Sequence, residues 1–306
     1  MRSLSAAAGR LPPALALPLA IVLQWASVLA AAGFSRTDES LTDPLVAANV
    51  LLLGPVTLGA AFALAHVLAG RLLGLWLLVT WLATPWLAYL FALPGYRDEI
   101  RDTVLPLVLG LAPERGFAAG AAVLVAAALS TVPARWAAAA AGACLGAAVL
   151  LVPATVAFVV AAPLALVLAR RLTAAATVVV AATPFVLAAA LARGVEVDAR
   201  SVAAFKASMG GLREYFFSQR LLQWLPLAGA VGVARRSPAL AVFLGGGFLA
   251  FALLQTARTD AEVATTSFFR LLLPGLPVLG VLLAALPLLV PSVATRLGGE
   301  ARPLLR

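Results

Sequence analysis

The sequence predicts an all-α fold: a polytopic bundle of about ten transmembrane helices that forms one integral membrane domain over residues 1–306. Of its 306 residues, 63% are hydrophobic and 11% are charged, and the mean hydropathy is +1.04. A soluble domain is about 45–50% apolar and about 25% charged. Apolar runs also recur so closely that the polar stretches between them leave no room for a soluble domain. Soluble enzyme folds are therefore excluded, and the lipid bilayer is the expected environment.

The predicted spans lie between the charges and the Pro or Gly clusters that interrupt the apolar runs, because a bilayer core needs roughly 17–25 helical residues. They are Ala14–Ala32, Val46–Leu68, Leu72–Leu93, Phe117–Pro133, Trp136–Val152, Ala154–Leu168, Ala174–Leu191, Leu221–Ala234, Pro238–Gln255 and Leu271–Val290. The apolar stretch Thr103–Leu111 is too short to cross and is predicted to be re-entrant or interfacial. The first span fits an uncleaved anchor, with a cleaved signal peptide as the alternative.

The basic residues predict a multi-pass protein of the plasma (inner) membrane with both termini in the cytoplasm. With this orientation the inner connections hold 11 basic residues and Glu300 as their one acid, whereas the outer connections hold 12 acids and 11 basic residues. Short, net-positive inner loops are what the positive-inside rule requires. The inner basic residues occur singly or in pairs rather than as a patch, so nucleic acid is not an expected partner. They are Arg2, Arg10, Arg71, Arg135, Arg170, Arg171, Arg235, Arg236, Arg296, Arg302 and Arg306.

The sequence lacks the common motifs for binding dinucleotides, nucleoside phosphates and metal ions. It contains no GxGxxG after a strand, no GKS or GKT loop, no HExxH and no Cys/His cluster. No charged residue needs to lie in the middle of a span, which argues against an ion-coupled pump. The residues themselves therefore do not identify any particular cofactor.

Four polar segments on the predicted outer side are where chemistry is expected, at about residues 33–45, 94–116, 193–220 and 256–270. Arginine beside aromatic residues at a membrane interface suits an anionic lipid headgroup, because guanidinium binds phosphate through two parallel hydrogen bonds. A carboxylate such as Asp38 or Glu39 at a helix mouth can act as a general base. The alternative interpretation is that these segments are solvated linkers. The candidate substrate-binding residues are Arg97, Asp98, Arg101, Asp102, Arg213, Glu214, Tyr215, Arg220 and Arg270.

Several strings resemble the GT-C superfamily, polytopic glycosyltransferases that include the dolichyl-phosphate-mannose protein mannosyltransferases and many actinobacterial relatives. The early strings are Ala48-Asn49-Val50, Leu53-Gly54-Pro55, the turn Ala69-Gly70-Arg71-Leu72-Leu73-Gly74-Leu75-Trp76, Trp81 and Pro85-Trp86. The late strings are Leu212-Arg213-Glu214-Tyr215-Phe216-Phe217-Ser218-Gln219-Arg220-Leu221-Leu222, Ser267-Phe268-Phe269-Arg270 and Leu273-Pro274-Gly275-Leu276-Pro277. Together these patches fall within Asn49–Pro291.

The resemblance implies a GT-C-like bundle, a polyprenyl-phosphate sugar donor and an active site on the extracytoplasmic side. It also implies an acidic pair in the first outer loop that serves as the base or binds a divalent metal, and Asp38-Glu39 matches that pair in type and place. Two alternatives stay open. The short first outer loop favours a non-catalytic membrane subunit or scaffold of a cell-envelope complex, and a transporter of lipids or small molecules is the other.

Overall fold

The computed structural model describes residues 13–35, 42–92, 94–193, 220–257 and 268–297, and in these ranges the backbone is helical, with no β-strand. The predicted all-α class is therefore confirmed. The α-helices are α1 (Pro13–Phe34), α2 (Pro44–Ala48), α3 (Gly54–Phe91), α4 (Arg97–Glu99), α5 (Leu105–Leu109), α6 (Arg115–Ser130), α7 (Arg135–Leu151), α8 (Val156–Leu168), α9 (Leu172–Arg193), α10 (Arg220–Ala234), α11 (Pro238–Ala241), α12 (Gly247–Ala257), α13 (Phe268–Leu272), α14 (Leu276–Ala284) and α15 (Pro291–Leu297).

Shorter π and 3₁₀ turns join several of these helices into longer rods. The π-helical segments are Asn49–Leu53, Ile100–Val104 and Val242–Gly246, and the 3₁₀ segments are Pro94–Tyr96, Pro153–Thr155, Leu273–Gly275 and Leu286–Leu289. The tenth predicted span, Leu271–Val290, is accordingly not one straight helix. It is divided by two 3₁₀ turns, each with a proline in its first positions, where the missing N–H is tolerated.

Four helical stretches among the described residues are long and apolar enough to cross a bilayer, which identifies a membrane protein by length and composition. They are Leu15–Phe34, Pro44–Phe91, Leu172–Ala192 and Pro238–Gln255. Five shorter apolar helices accompany them: Arg115–Ser130, Arg135–Leu151, Pro153–Leu168, Leu225–Ala234 and Phe269–Ala284. The count of about ten spans stays a prediction.

The longest stretch, Pro44–Phe91, folds back on itself at Ala69 and Gly70. Both residues leave the helical region, and Gly70 has a φ of 79°, a conformation that glycine adopts without steric cost. A Cβ built on Gly74 would lie 2.8 Å from Cε2 of Phe62, although residues twelve apart in a straight helix are about 18 Å apart. The two limbs are therefore antiparallel, and the break falls between the predicted second and third spans.

Small residues allow the closest helix contacts. Gly142 and Gly146 of α7 face α9: a Cβ on Gly142 would meet the backbone of Val178, and one on Gly146 would lie 2.7 Å from Cβ of Phe185. The spacing is the Gly-xxx-Gly pattern that lets membrane helices approach each other closely. In lipid, where no hydrophobic force drives helices together, such van der Waals packing is a main source of association.

Arginines from predicted inner connections bind the carbonyl ends of neighbouring helices. Arg171 donates from Nη1 to the carbonyl of Ser130 at 2.6 Å and from Nη2 to that of Val132 at 2.7 Å. Arg235 donates to the carbonyl of Leu289 at 2.5 Å, and Arg236 to that of Ala294. Helix C-termini carry unpaired carbonyls and partial negative charge, which cations satisfy. These connections, predicted to share the inner side, are thus in direct contact.

Candidate functional site

Five of the candidate residues lie in the described part of the chain with their side chains: Arg97, Asp98, Arg101, Asp102 and Arg270. Asp38, Glu39, Arg213, Glu214 and Tyr215 lie outside the described residues, and Arg220 starts α10 with a side chain that is outside them as well. The structure therefore describes the candidate site at the second outer segment, at the end of the fourth, and at the two ends of the first.

The start of the second outer segment, predicted to be a polar loop, is an amphipathic helical turn. A 3₁₀ turn at Pro94–Tyr96 leads into α4 and then into the π-helix Ile100–Val104. Ile100 and Val104 are buried, whereas Arg97 and Asp98 are exposed. Residues four apart share a helix face, so this segment has an apolar side in the bundle and a charged side turned away from it.

Arg101 is held by two carboxylates of its own turn. It bonds Asp102 through two parallel contacts, Nε to Oδ1 and Nη2 to Oδ2, both at 2.7 Å, and its Nη1 lies 2.9 Å from Oδ1 of Asp98. The hydrogen bond to Asp102 raises the pKa of Arg101, with the charges of Asp102 and Asp98 adding to it. Its side chain is only 15% exposed. The guanidinium is thereby engaged by protein carboxylates.

Arg270 links the fourth outer segment to the second. Its Nε lies 2.8 Å from Oε1 of Glu114, with side chains 57% and 32% exposed, respectively. The neighbouring Phe269 packs against two apolar clusters, one that contains Ile100 and Val104 and one that contains Phe117 at the start of α6. The charged pair therefore stands at the solvent edge of an apolar contact between the two segments.

The end of α1 reaches the same place. The ring of Phe34 meets that of Tyr89 edge to face, with centroids 5.3 Å apart, a favoured aromatic geometry. Tyr89 in turn packs in the apolar cluster that contains Ile100 and Val104. Thus the last turn of the first span, the second outer segment and the start of α13 converge at one end of the bundle, and in the sequence Asp38 follows Phe34 by four residues.

Asp43, an acid of the first outer segment, caps a helix. Its Oδ1 accepts hydrogen bonds from the backbone N–H groups of Leu45 at 2.7 Å and Val46 at 3.4 Å. Side-chain capping of this kind satisfies N–H groups that have no partner within the helix. The role of Asp43 is structural.

A buried amide that sequence reasoning missed supports the irregular backbone after α5. Asn49 is fully buried in the first π-helix and donates from Nδ2 to the carbonyl of Ala112 at 3.2 Å. Helix α5 ends at Leu109 and is capped by Gly110, whose φ is 83°. The stretch Thr103–Leu111 thus consists mainly of the short helix Leu105–Leu109 packed inside the bundle, with Thr103 exposed at its start, and Asn49 pairs a carbonyl that follows the stretch. Non-helical backbone at membrane depth requires such partners.

The sequence signal for these buried polar residues was the presence of side-chain amides within the predicted spans. Gln24 lies in the first predicted span and Asn49 in the second, and neither is charged. Both are buried, at 5% and 0% exposure, and intramembrane polar side chains generally face the bundle interior.

Metal ligation has no support among the described residues, where no group of three or more His, Cys, Asp or Glu side chains could hold an ion. The acidic pair Asp38-Glu39, to which the resemblance assigns a metal or base role, lies outside that part of the chain. Comparison with protein-family models, with curated proteins and with solved structures gave no match.

Proposed function

We propose that this chain is a membrane glycosyltransferase-like protein that transfers a sugar from a polyprenyl-phosphate donor to an acceptor at the extracytoplasmic face. The observation that carries the proposal is the convergence of three predicted outer segments at one end of the bundle, where Arg270 is exposed and its neighbour Phe269 shares an apolar cluster with Tyr89. A ligand with an anionic head and an apolar tail suits such a membrane interface.

The described arginines divide into two roles in this proposal. Arg97 and Arg270 are exposed and bind the donor phosphate. Arg101, tied to Asp98 and Asp102, instead fixes the shape of the turn that carries Arg97. Phosphate binding by Arg270 exchanges its contact with Glu114 for one with the phosphodiester of the donor, whose negative charge rises when polyprenyl phosphate leaves as a monoester.

The reaction balances without a cofactor. The acceptor hydroxyl attacks the anomeric carbon of the sugar, the bond from that carbon to the phosphate oxygen breaks, and the hydroxyl proton passes to a carboxylate. Asp38 or Glu39 is the proposed base, worth roughly 10²–10⁴ in rate. Polyprenyl phosphate leaves with its charge neutralised by arginine, the electrostatic part of the catalysis.

One observation favours a second candidate, a non-catalytic membrane subunit. Among the described outer carboxylates, Asp98 and Asp102 pair with Arg101, Glu114 pairs with Arg270, and Asp43 caps a helix. Carboxylates engaged in this way serve structure. In that case the protein would use the same end of the bundle to hold a lipid or a partner without chemistry.

The test is transfer from a radiolabelled polyprenyl-phosphate sugar by the purified full-length protein, with thermal stability in detergent measured alongside. Asp38→Asn and Glu39→Gln keep shape but cannot accept a proton, so the transfer rate falls by about 10²–10⁴ in the variant that lacks the base. Asp43→Asn is the matched control in the same segment, because Asn caps helices as well as Asp does, and it keeps its activity.

Three outcomes are distinguishable. Full activity in both carboxylate variants removes Asp38 and Glu39 from the mechanism. A donor-induced rise in Tm without any transfer supports the non-catalytic subunit, since binding to the folded state alone raises stability. If the donor produces neither a rise in Tm nor sugar transfer, the proposal is overturned.

A further inference from the structure

The end of the bundle opposite Arg270 and Glu114 carries a separate feature, a surface of arginines. Helix α6 begins beside Glu114 and ends at Ser130, so its 16 residues separate the two ends by about 24 Å. The described arginines of the predicted inner connections are Arg71, Arg135, Arg170, Arg171, Arg235, Arg236 and Arg296. The acids with described side chains are Asp43, Asp98, Glu99, Asp102 and Glu114, and all of them belong to the outer segments. In the described part of the chain, the arginine surface is therefore strongly cationic.

Helices α7 and α9 run parallel, and their first turns lie side by side on this surface. A Cβ on Gly142 would meet the backbone of Val178, and one turn later a Cβ on Gly146 would meet Phe185, so the contacts advance in the same direction along both helices. Arg135 precedes Gly142 by seven residues, and residues seven apart share a helix face. Arg135 therefore lies on the side of α7 that packs on α9, two turns before the first glycine contact.

Arg170 and Arg171 stand opposite Arg135 in the neighbouring connection. Arg171 precedes Val178 by seven residues, the same interval that separates Arg135 from its own contact glycine. Arg171 also donates to the carbonyl of Val132 at 2.7 Å, and Arg135 follows Val132 by three residues, a span of at most about 11 Å. Arg135 and Arg170 are both exposed, and neither forms an ion pair with a described residue. Two adjoining cations are thus open to a ligand.

Exposed apolar side chains border these two arginines. Trp136, the neighbour of Arg135, is 66% exposed. Leu168 and Leu172, which lie two residues to either side of Arg170, are 54% and 65% exposed. Tryptophan beside arginine at the end of a membrane helix is typical of the headgroup level of a bilayer. The surroundings of the two cations therefore suit a molecule that has acyl chains as well as a charged head.

The charge of this surface favours an anion. Arg171 is held by the carbonyls of Ser130 and Val132, which fix its position but leave its positive charge in place. Like charges brought together repel one another, and none of the described acids lies at this end to offset them. A bound phosphate would reduce the repulsion, because a guanidinium donates two parallel hydrogen bonds to phosphate oxygens.

We infer that Arg135 and Arg170 bind the phosphate of an anionic glycerophospholipid, whose acyl chains lie along Trp136, Leu168 and Leu172. Basic residues between membrane helices are a usual site for anionic headgroups. A zwitterionic lipid carries its own ammonium group, which the arginines repel, so a lipid of net negative charge is preferred. A free phosphate would leave the apolar side chains without a partner. The inference is independent of the sugar transfer proposed above, which concerns the opposite end of the bundle.

The test compares the binding of dioleoyl phosphatidylglycerol and dioleoyl phosphatidylcholine to the purified full-length protein in detergent, measured by native mass spectrometry. Each arginine at a membrane surface contributes about fivefold to the affinity for an anionic lipid. The wild-type protein is therefore expected to bind the first phosphatidylglycerol about 25-fold more tightly than the first phosphatidylcholine. A phosphatidylglycerol with a photoreactive diazirine in one acyl chain locates the site, and labelling is expected around Trp136, Leu168 and Leu172.

The variants separate the charge from the apolar contact. Arg135→Gln and Arg170→Gln each lower the affinity for phosphatidylglycerol about fivefold, and in the double variant the two lipids bind within about threefold of each other. Trp136→Ala weakens the binding of both lipids and keeps the ratio between them. Arg115→Gln is the matched control, because it removes the same charge from an exposed position at the other end of α6, and it keeps the wild-type preference.

Several results would overturn the inference. Equal binding of the two lipids by the wild-type protein is one, and an undiminished preference in the double variant is another. A loss in Arg115→Gln as large as that in Arg135→Gln would assign the preference to net charge rather than to this site. Displacement of the lipid by millimolar glycerol 3-phosphate, which has no acyl chains, would identify a site for soluble phosphate instead. If one arginine variant does not fold, the wild-type ratio and the labelled positions still decide.

Discussion

The guanidinium of Arg270 and the carboxylate of Glu114 meet at 2.8 Å across two segments that are 156 positions apart in the chain. Both side chains are partly exposed, and exposed pairs of this kind contribute about 0–1 kcal/mol to stability. The pair is therefore better explained as a means of holding Arg270 at the end of the bundle than as a source of fold stability.

This relationship gives the first prediction, which concerns the binding of farnesyl phosphate, a short prenyl phosphate. Arg270→Gln removes the cation and weakens binding about two- to fivefold, whereas Glu114→Gln removes its competitor and strengthens binding by a similar factor. Titration of the purified protein by calorimetry measures both. Farnesol, which has no phosphate, is the control ligand and its affinity does not respond to either change. Weaker binding in both variants would contradict the phosphate role of Arg270.

The second prediction concerns Arg171, which donates to two carbonyls at the end of α6. Arg171→Gln leaves these carbonyls without their charged donor and lowers the free energy of unfolding by about 1–3 kcal/mol. Arg170→Gln is the matched control, because it removes the same charge from the adjacent residue, and no hydrogen bond of the Arg170 side chain occurs within the described residues. Its effect is expected to be within about ±0.5 kcal/mol. Chemical unfolding in detergent measures both, and equal losses would assign the effect to charge alone.

The backbone at Arg170 adds a third prediction. Its φ of 58° lies in the left-handed region, which costs a residue with a Cβ roughly 1–2 kcal/mol. Arg170→Gly therefore raises stability relative to Arg170→Gln, in which the charge is equally absent and the strain remains. A melting-temperature comparison of the two variants decides, and a lower Tm for the glycine variant would contradict the strain argument.

The fourth prediction tests the packing of α7 on α9. Gly146→Ala introduces a Cβ only 2.7 Å from that of Phe185, and overpacking of this kind costs about 1–3 kcal/mol. Gly246→Ala is the control on another helix, where nothing lies within 4 Å of the new methyl group. Because alanine favours helix over glycine, that variant is neutral or slightly more stable. Thermal unfolding of both proteins provides the measurement.

The sequence pattern was sufficient to predict the helical class and the turn at Gly70. Both depend on local properties, the hydropathy of a run of residues and the backbone freedom of one glycine. It was not sufficient for the segment at Thr103–Leu111, since a nine-residue apolar stretch has the same composition whether it packs in the bundle or lies at the interface. The burial of Leu105, Leu107 and Leu111, together with the contact between Asn49 and Ala112, which are 63 positions apart, distinguishes these cases.

The candidate site was likewise only partly predictable from the sequence. The presence of Arg97, Asp98, Arg101 and Asp102 in one turn is visible in the sequence, but which arginine is occupied by carboxylates depends on rotamers and on local helix geometry. The pairing of Arg270 with Glu114 and the burial of Gln24 are tertiary facts. Hydropathy averages hide such amides, because one glutamine barely changes the mean of a 20-residue apolar window.

The last prediction concerns membrane orientation. With Cys144, the one cysteine of the chain, replaced by Ala, single substitutions Asp98→Cys and Arg135→Cys are made at two exposed positions. The excess of basic residues on the inner side requires that an impermeant thiol reagent label Asp98→Cys in intact cells and label Arg135→Cys only after the membrane is permeabilised. Arg115→Cys, exposed at the start of α6 near Glu114, is a second outer position and labels as Asp98→Cys does. The reverse pattern would place the charged end of the bundle in the cytoplasm, where a donor presented on the outer face could not reach Arg270.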